Sequence, residues 1–61
     1  MEAYKITTAG IIICGLTWDH VCNVLERSED GMVWAAHYGL EDRGAYTFHD
    51  VRGTEMLLER D

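Results

Sequence analysis

The sequence predicts a small α+β domain, a mainly antiparallel β-sheet with one helix packed on one face. The expected order is β-β-α-β-β, with a short C-terminal helix or strand to finish. Three observations carry this: β-branched and aromatic runs on both sides of the chain's middle, one switch to helical periodicity between them, and acidic, Gly-ended turn clusters in the second half.

Residues 3–7 and 11–14 are rich in β-branched side chains and separated by Thr8-Ala9-Gly10, so they read as two strands joined by a turn. Three consecutive isoleucines in the second run favour an extended core strand, with Cys14 buried among them. From Thr17 the period changes, and Trp18, Val21, Cys22 and Leu25 fall on one helical stripe. Thr17 suits the N-cap, Asp19 sits where the helix dipole favours an anion, Leu16 is placed to staple onto Val21, and Gly31 closes the element.

Ser28-Glu29-Asp30-Gly31, Glu41-Asp42-Arg43-Gly44 and Asp50-Val51-Arg52-Gly53 then cut the second half into short segments. Residues 32–39 and 45–49 flank the middle cluster and read as a hairpin with its loop at 40–44. That register sets His37 opposite Thr47, with His49 on the same face. It gathers Trp34, Ala36, Tyr38, Tyr46 and Phe48 on the other face, under the helix. Residues 54–60 fit a strand extending the hairpin or a helix with Glu55 and Glu59 one turn apart; the glutamate spacing tips the reading towards helix.

Sixty-one residues allow one domain, residues 1–61, and a core too thin to surround a deep catalytic pocket, so a non-enzymatic protein is expected. The net charge is -6, and the last 36 residues (26–61) hold nine acids against four arginines. Such a balance repels phosphate backbones and anionic lipid, which disfavours direct nucleic-acid or membrane binding and favours a basic protein surface as partner. Two cysteines are too few for a disulfide framework and fit a reducing cytoplasm. The apolar run 9–16 is too short to span a bilayer and lacks a basic leader.

Gly10 to Thr17 fits a phosphate-binding loop except at the lysine, where Leu16 stands; without that charge, and with three isoleucines inside, a strand is the better reading. No cofactor is implied. For catalysis the inventory is poor: Ser28 is the only serine, no elbow motif surrounds it, and no base stands at a meaningful spacing from it or from the cysteines. His37 and His49, diagonal neighbours in the expected hairpin, form the basis of an alternative, metal-binding reading, although no familiar ligand spacing appears.

The remaining pattern is carboxylate. Glu26, Glu29 and Asp30 fall at i, i+3 and i+4 towards a helix C-terminus, where the dipole and mutual repulsion both oppose them. Glu41 and Asp42 add charge at the expected hairpin tip, and where part of the aromatic face stays uncovered Tyr38 is the partner-facing aromatic anchor. Carboxylates at such spacing approximate phosphates and suit the Arg/Lys sites of a nucleic-acid-binding protein. In size, acidity and single-domain character, though in no specific motif, the chain resembles phage-encoded inhibitors, anti-CRISPR proteins among them. That resemblance implies a cytoplasmic viral protein that mimics nucleic acid and blocks a larger basic host protein. A second reading is a structural or accessory protein that forms a homodimer through a sheet edge or an uncovered aromatic face.

Overall fold

A computed structural model describes residues 3–61. Among these the elements run β1 (Tyr4–Thr8), β2 (Ile11–Leu16), α1 (Trp18–Arg27), α2 (Val33–Arg43), β3 (Ala45–His49) and β4 (Glu55–Arg60). The strands form one sheet in the order β2-β1-β4-β3, antiparallel throughout, with the helices packed on one face. The expected α+β class and antiparallel sheet are therefore present, with two helices instead of one.

The β1–β2 hairpin turns through two residues. Ala9 (φ 48°) and Gly10 (φ 79°) both take the left-handed conformation that matches the twist of a tight hairpin. Further along, the register shifts between Tyr4 and Ile6, and Gly15, at φ 69°, supplies the left-handed residue of a bulge in β2. The Gly15 N–H donates to the Asp61 carboxylate at 3.3 Å, which ties the bulge to the chain's far end.

α1 begins as the sequence predicts. The Thr17 hydroxyl accepts from the His20 N–H at 3.3 Å, and the Val21 N–H bonds the Thr17 carbonyl. Its end comes before Gly31: the Ser28 hydroxyl donates to the Leu25 carbonyl at 2.5 Å and accepts from the Gly31 N–H at 2.9 Å. Folding Ser28 back this way brings Gly31 so close to Leu25 and Ser28 that a side chain there would meet both.

Residues 32–39 are the main correction. They form most of a helix, not a strand, so the expected hairpin and its register do not exist. Val33, Ala36 and Leu40 recur at helical spacing and face the core, and Gly44 (φ 78°) returns its N–H to the Leu40 carbonyl as the C-terminal stop. Gly39 lets α2 lie almost on β3, since a Cβ there would stand 3.2 Å from the Ala45 carbonyl oxygen and 3.3 Å from the Tyr46 ring.

Residues 54–60 are likewise a strand. β4 is central, pairing β1 through Ile6↔Leu58 and β3 through Tyr46↔Leu58, and a central strand satisfies its backbone on both sides where a terminal helix would satisfy neither neighbour. The turn before it holds as expected: the Asp50 carboxylate accepts from the Arg52 and Thr54 N–H groups at 2.8 and 2.9 Å.

The core joins Tyr4 and Ile6 of β1, Val21 and Leu25 of α1, Ala36 and Leu40 of α2, Phe48 of β3 and Leu58 of β4. Both helices thus press on the β1, β4 and β3 part of the sheet. Most of β2 lies outside that cover: Leu16 packs against the core, but Ile11, Ile12, Ile13 and Cys14 are all exposed. The isoleucine run is an edge strand, and Cys14 is at the surface, contrary to the expected core strand. Residues 11–16 are a strand, the reading preferred to a phosphate loop.

Candidate functional site

The helix that replaces the expected strand turns its aromatic residues outwards. Val33, Ala36 and Leu40 must face the core, so Trp34, His37, Tyr38 and Glu41, at i, i+3, i+4 and i+7, share the opposite face. Trp34 is 72 % exposed and Tyr38 69 %, with exposed Met32 just ahead of the helix. Trp34 and Tyr38 were expected in the core with Ala36, Tyr46 and Phe48. Ala36 and Phe48 are buried there, and Tyr46 packs half-buried against them, stacked on Phe48 at 5.8 Å.

This face has internal supports. The Nε2 atom of His37 lies 3.3 Å from Glu41 Oε1, one helical turn on. The same imidazole and Trp18 of α1 meet in a T-shaped arrangement with 6.1 Å between ring centres, and Trp18 in turn packs against Tyr4 of β1 at 5.2 Å. A file of rings therefore links the sheet, α1 and the outer face of α2. Glu41 and Asp42 lie exposed in the last turns of α2, not at a hairpin tip.

Glu26, Glu29 and Asp30 do not form one helical array, because α1 stops at Arg27. Glu26 is exposed on the last turn of the helix, while Glu29 and Asp30 belong to the connection that follows. That connection runs against the outer edge of β3: the Glu29 N–H donates to the His49 carbonyl at 3.0 Å, and the His49 N–H donates to Asp30 Oδ1 at 2.6 Å. Asp30 Oδ2 also meets His49 Nδ1 at 3.0 Å.

The hydrogen bond from the His49 backbone, then the one from its ring, hold the Asp30 carboxyl below its usual range. In return, Asp30 chiefly, with Glu55 and Glu29 behind it, raises the His49 imidazole above its usual value. Asp30 is thus tied to β3 although it is exposed, as are Glu26, Glu29, Tyr38, Glu41 and Asp42.

His37 and His49 are not neighbours: one pairs with Glu41 on α2, the other with Asp30 beside β3. Among the described residues no three His, Cys, Asp or Glu side chains gather as a metal site. Cys14 and Cys22 are both free thiols; burial first, then Asp19 and Glu26, push the Cys22 thiol above its ordinary value. A shallow cleft of about 330 Å³ lies between the end of α2 and β3, lined by Arg43, Ala45, Tyr46 and Thr47. It offers a guanidinium and hydroxyls. No helix among the described residues is long and apolar enough to cross a membrane.

The alternating pattern of residues 32–39 sets Trp34 in the core and does not single out Met32. The signal that would have found them is the helix stop, Arg43 in the last turn followed by Gly44, counted back along Leu40, Ala36 and Val33. Compared with protein-family models, curated proteins and solved structures, the chain matches none.

Proposed function

We propose that this chain is a non-enzymatic binding protein whose outer α2 face docks on a basic surface of a larger protein. The observation that carries the reading is the exposure of Trp34 and Tyr38 side by side on a rigid helix, with Glu41 and Asp42 next to them. Large aromatic anchors bordered by charge are the residues that dominate protein interfaces once water is excluded. Leaving two of them in solvent costs a small domain apolar burial that its thin core could use.

The acidic border selects a partner rich in Arg and Lys and speeds encounter with it. A nucleic-acid-binding protein of a host cell's cytoplasm is the natural source of such a surface, and occupying it would inhibit that protein as phage-type, anti-CRISPR-like inhibitors do. Tyr38, Glu41 and Asp42 sit on the docking face. Glu26 and Glu29 extend the acidic surface, and Asp30 contributes through the loop it fixes.

The test is retention of a protein from host lysate on immobilised chain. The reading expects a retained protein to elute as salt rises and to be lost with the double variant Trp34→Ala, Tyr38→Ala, with Glu41→Lys, Asp42→Lys weakening it to a lesser degree. Retention that ignores both variants would sink it.

A further inference from the structure

We infer that the outer edge of β2 is a self-association site, where β2 of a second copy adds antiparallel about a two-fold axis to make one continuous sheet.

The two-residue turn fixes which backbone groups are free. Thr8 and Ile11 flank the turn as a hydrogen-bonded pair, and alternation makes Thr7↔Ile12 a non-bonded pair and Ile6↔Ile13 a bonded one. Ile11 and Ile13 therefore spend their N–H and C=O on β1, while those of Ile12 point away from the sheet. Beyond Ile12, Cys14 is the next outward position before the bulge. Among the described residues no strand pairs with this edge.

The opposite edge is covered at its two ends, with Thr47 exposed between them. On β3 the outward-facing positions are Ala45, Thr47 and His49. The Ala45 carbonyl lies against α2 at Gly39, and the His49 backbone is taken up by Glu29 and Asp30. Edge strands are ordinarily protected by charge, proline, shortness or cover. β2 has six residues, three of them exposed isoleucines, with no charged residue, no proline and no helix across it.

Charge selects the second copy as occupant. A protein of net charge -6 repels itself over most of its surface, but no residue between Lys5 and Asp19 is charged, and β2 lies in the middle of that stretch. A basic partner gains nothing from this neutral strip. Asp61 brings a carboxylate to β2 only at Gly15, beyond Ile12, so an identical strand meets little repulsion there, and antiparallel pairing about a two-fold axis matches the donors and acceptors of Ile12 to those of the partner copy. One six-residue strand and its side chains fall below the ~1,200 Å² of standard interfaces, so the dimer is of modest affinity and dilution separates it.

The experiment is sedimentation and light scattering of the intact chain from roughly 1 μM to roughly 1 mM, with amide exchange at both ends of the range. The expected result is a monomer–dimer equilibrium in which the Ile12 and Cys14 amides gain protection with concentration, while those of Ile11 and Ile13 are protected throughout. Ile12→Pro removes an N–H that the monomer does not use, and Ile12→Lys places a charge on the strip. Each is expected to weaken the dimer about tenfold or more and to leave the circular dichroism of the monomer unchanged. Trp34→Ala, Tyr38→Ala is expected to leave the dimer intact, which separates failure here from failure of the docking face. A chain monomeric across the whole range, whether the strip is then bare or held by another protein's strand, overturns the inference. So does a dimer that survives both Ile12 variants and is lost with Trp34 and Tyr38.

Discussion

The two edges of the sheet solve the same problem in opposite ways. β3 has α2 against one end and the residue 29–30 connection against the other, and its Phe48 is 0 % exposed. On β2, at the far side, Ile13 shares Phe48's face of the sheet and is 45 % exposed. Sequence hydrophobicity alone would rank them the other way, since Ile11 to Ile13 is the more apolar run. Cover is decided by where the chain places its helices: both follow β2 in sequence yet lean on β1, β4 and β3, because Val21, Leu25, Ala36 and Leu40 meet Phe48 and Leu58 there.

Truncating one residue on each edge strand separates the two most widely. Phe48→Ala is expected to cost about 3–5 kcal/mol, enough to leave a chain of this size largely unfolded at room temperature. Ile13→Ala, on the same face of the sheet, is expected in the monomer to cost no more than about 1 kcal/mol. Urea denaturation followed by Trp fluorescence at low protein concentration measures both. Similar losses at the two positions would mean that the edges are equally covered.

A second step down in size tests how the closed edge is closed. Gly39→Val puts a branched side chain where α2 and β3 are already at van der Waals contact, with the Ala45 carbonyl 3.2 Å and the Tyr46 ring 3.3 Å from the new Cβ. The expected loss is about 1–3 kcal/mol, the usual cost of overpacking. A neutral result would show that α2 can lift off without consequence. Thr17→Ala comes next, at about 1 kcal/mol, because it removes the acceptor of the His20 N–H and frays the start of α1.

What was legible in the sequence follows the same divide. The β1–β2 hairpin, the Thr17 cap and the Asp50–Gly53 turn are local events, written in residues that touch one another along the chain. α2 was illegible because its outer face is aromatic. Trp34, Ala36 and Tyr38 alternate as a strand would, and only the core partners Val33, Ala36 and Leu40 reveal the helical period. The residues that make the proposed docking face are thus the ones that blurred its secondary structure, a local inconsistency expected where function competes with folding.

β4 misled for a related reason. Glu55 and Glu59 suit one helical face, but Met56 and Leu58 alternate towards the core once β1 and β3 flank the strand, and that flanking is long-range. Asp30 looked like surface charge because its partner, His49, lies 19 residues further along the chain.

The smallest expected effect concerns that last pair and is read through pH. Asp30 has its folded value lowered, so its contribution is present above the ordinary aspartate range near pH ~4 and fades as pH falls through the lowered value. His49 has its folded value raised, so its contribution is complete below the ordinary imidazole value of ~6.5 and fades as pH rises through the raised one. Both are present together only in the mildly acidic window between these limits. Both groups reach solvent, so salt screens the effect and the change in Tm is modest. Asp30→Asn keeps an oxygen to accept the His49 N–H but removes the charge. The wild-type Tm, minus that of the variant, is therefore expected to rise as pH is lowered from 8 to about 5.5, and the rise is expected to shrink in high salt. A difference independent of pH would mean that the closed edge is held by backbone hydrogen bonds alone, with the carboxylate adding no electrostatic part.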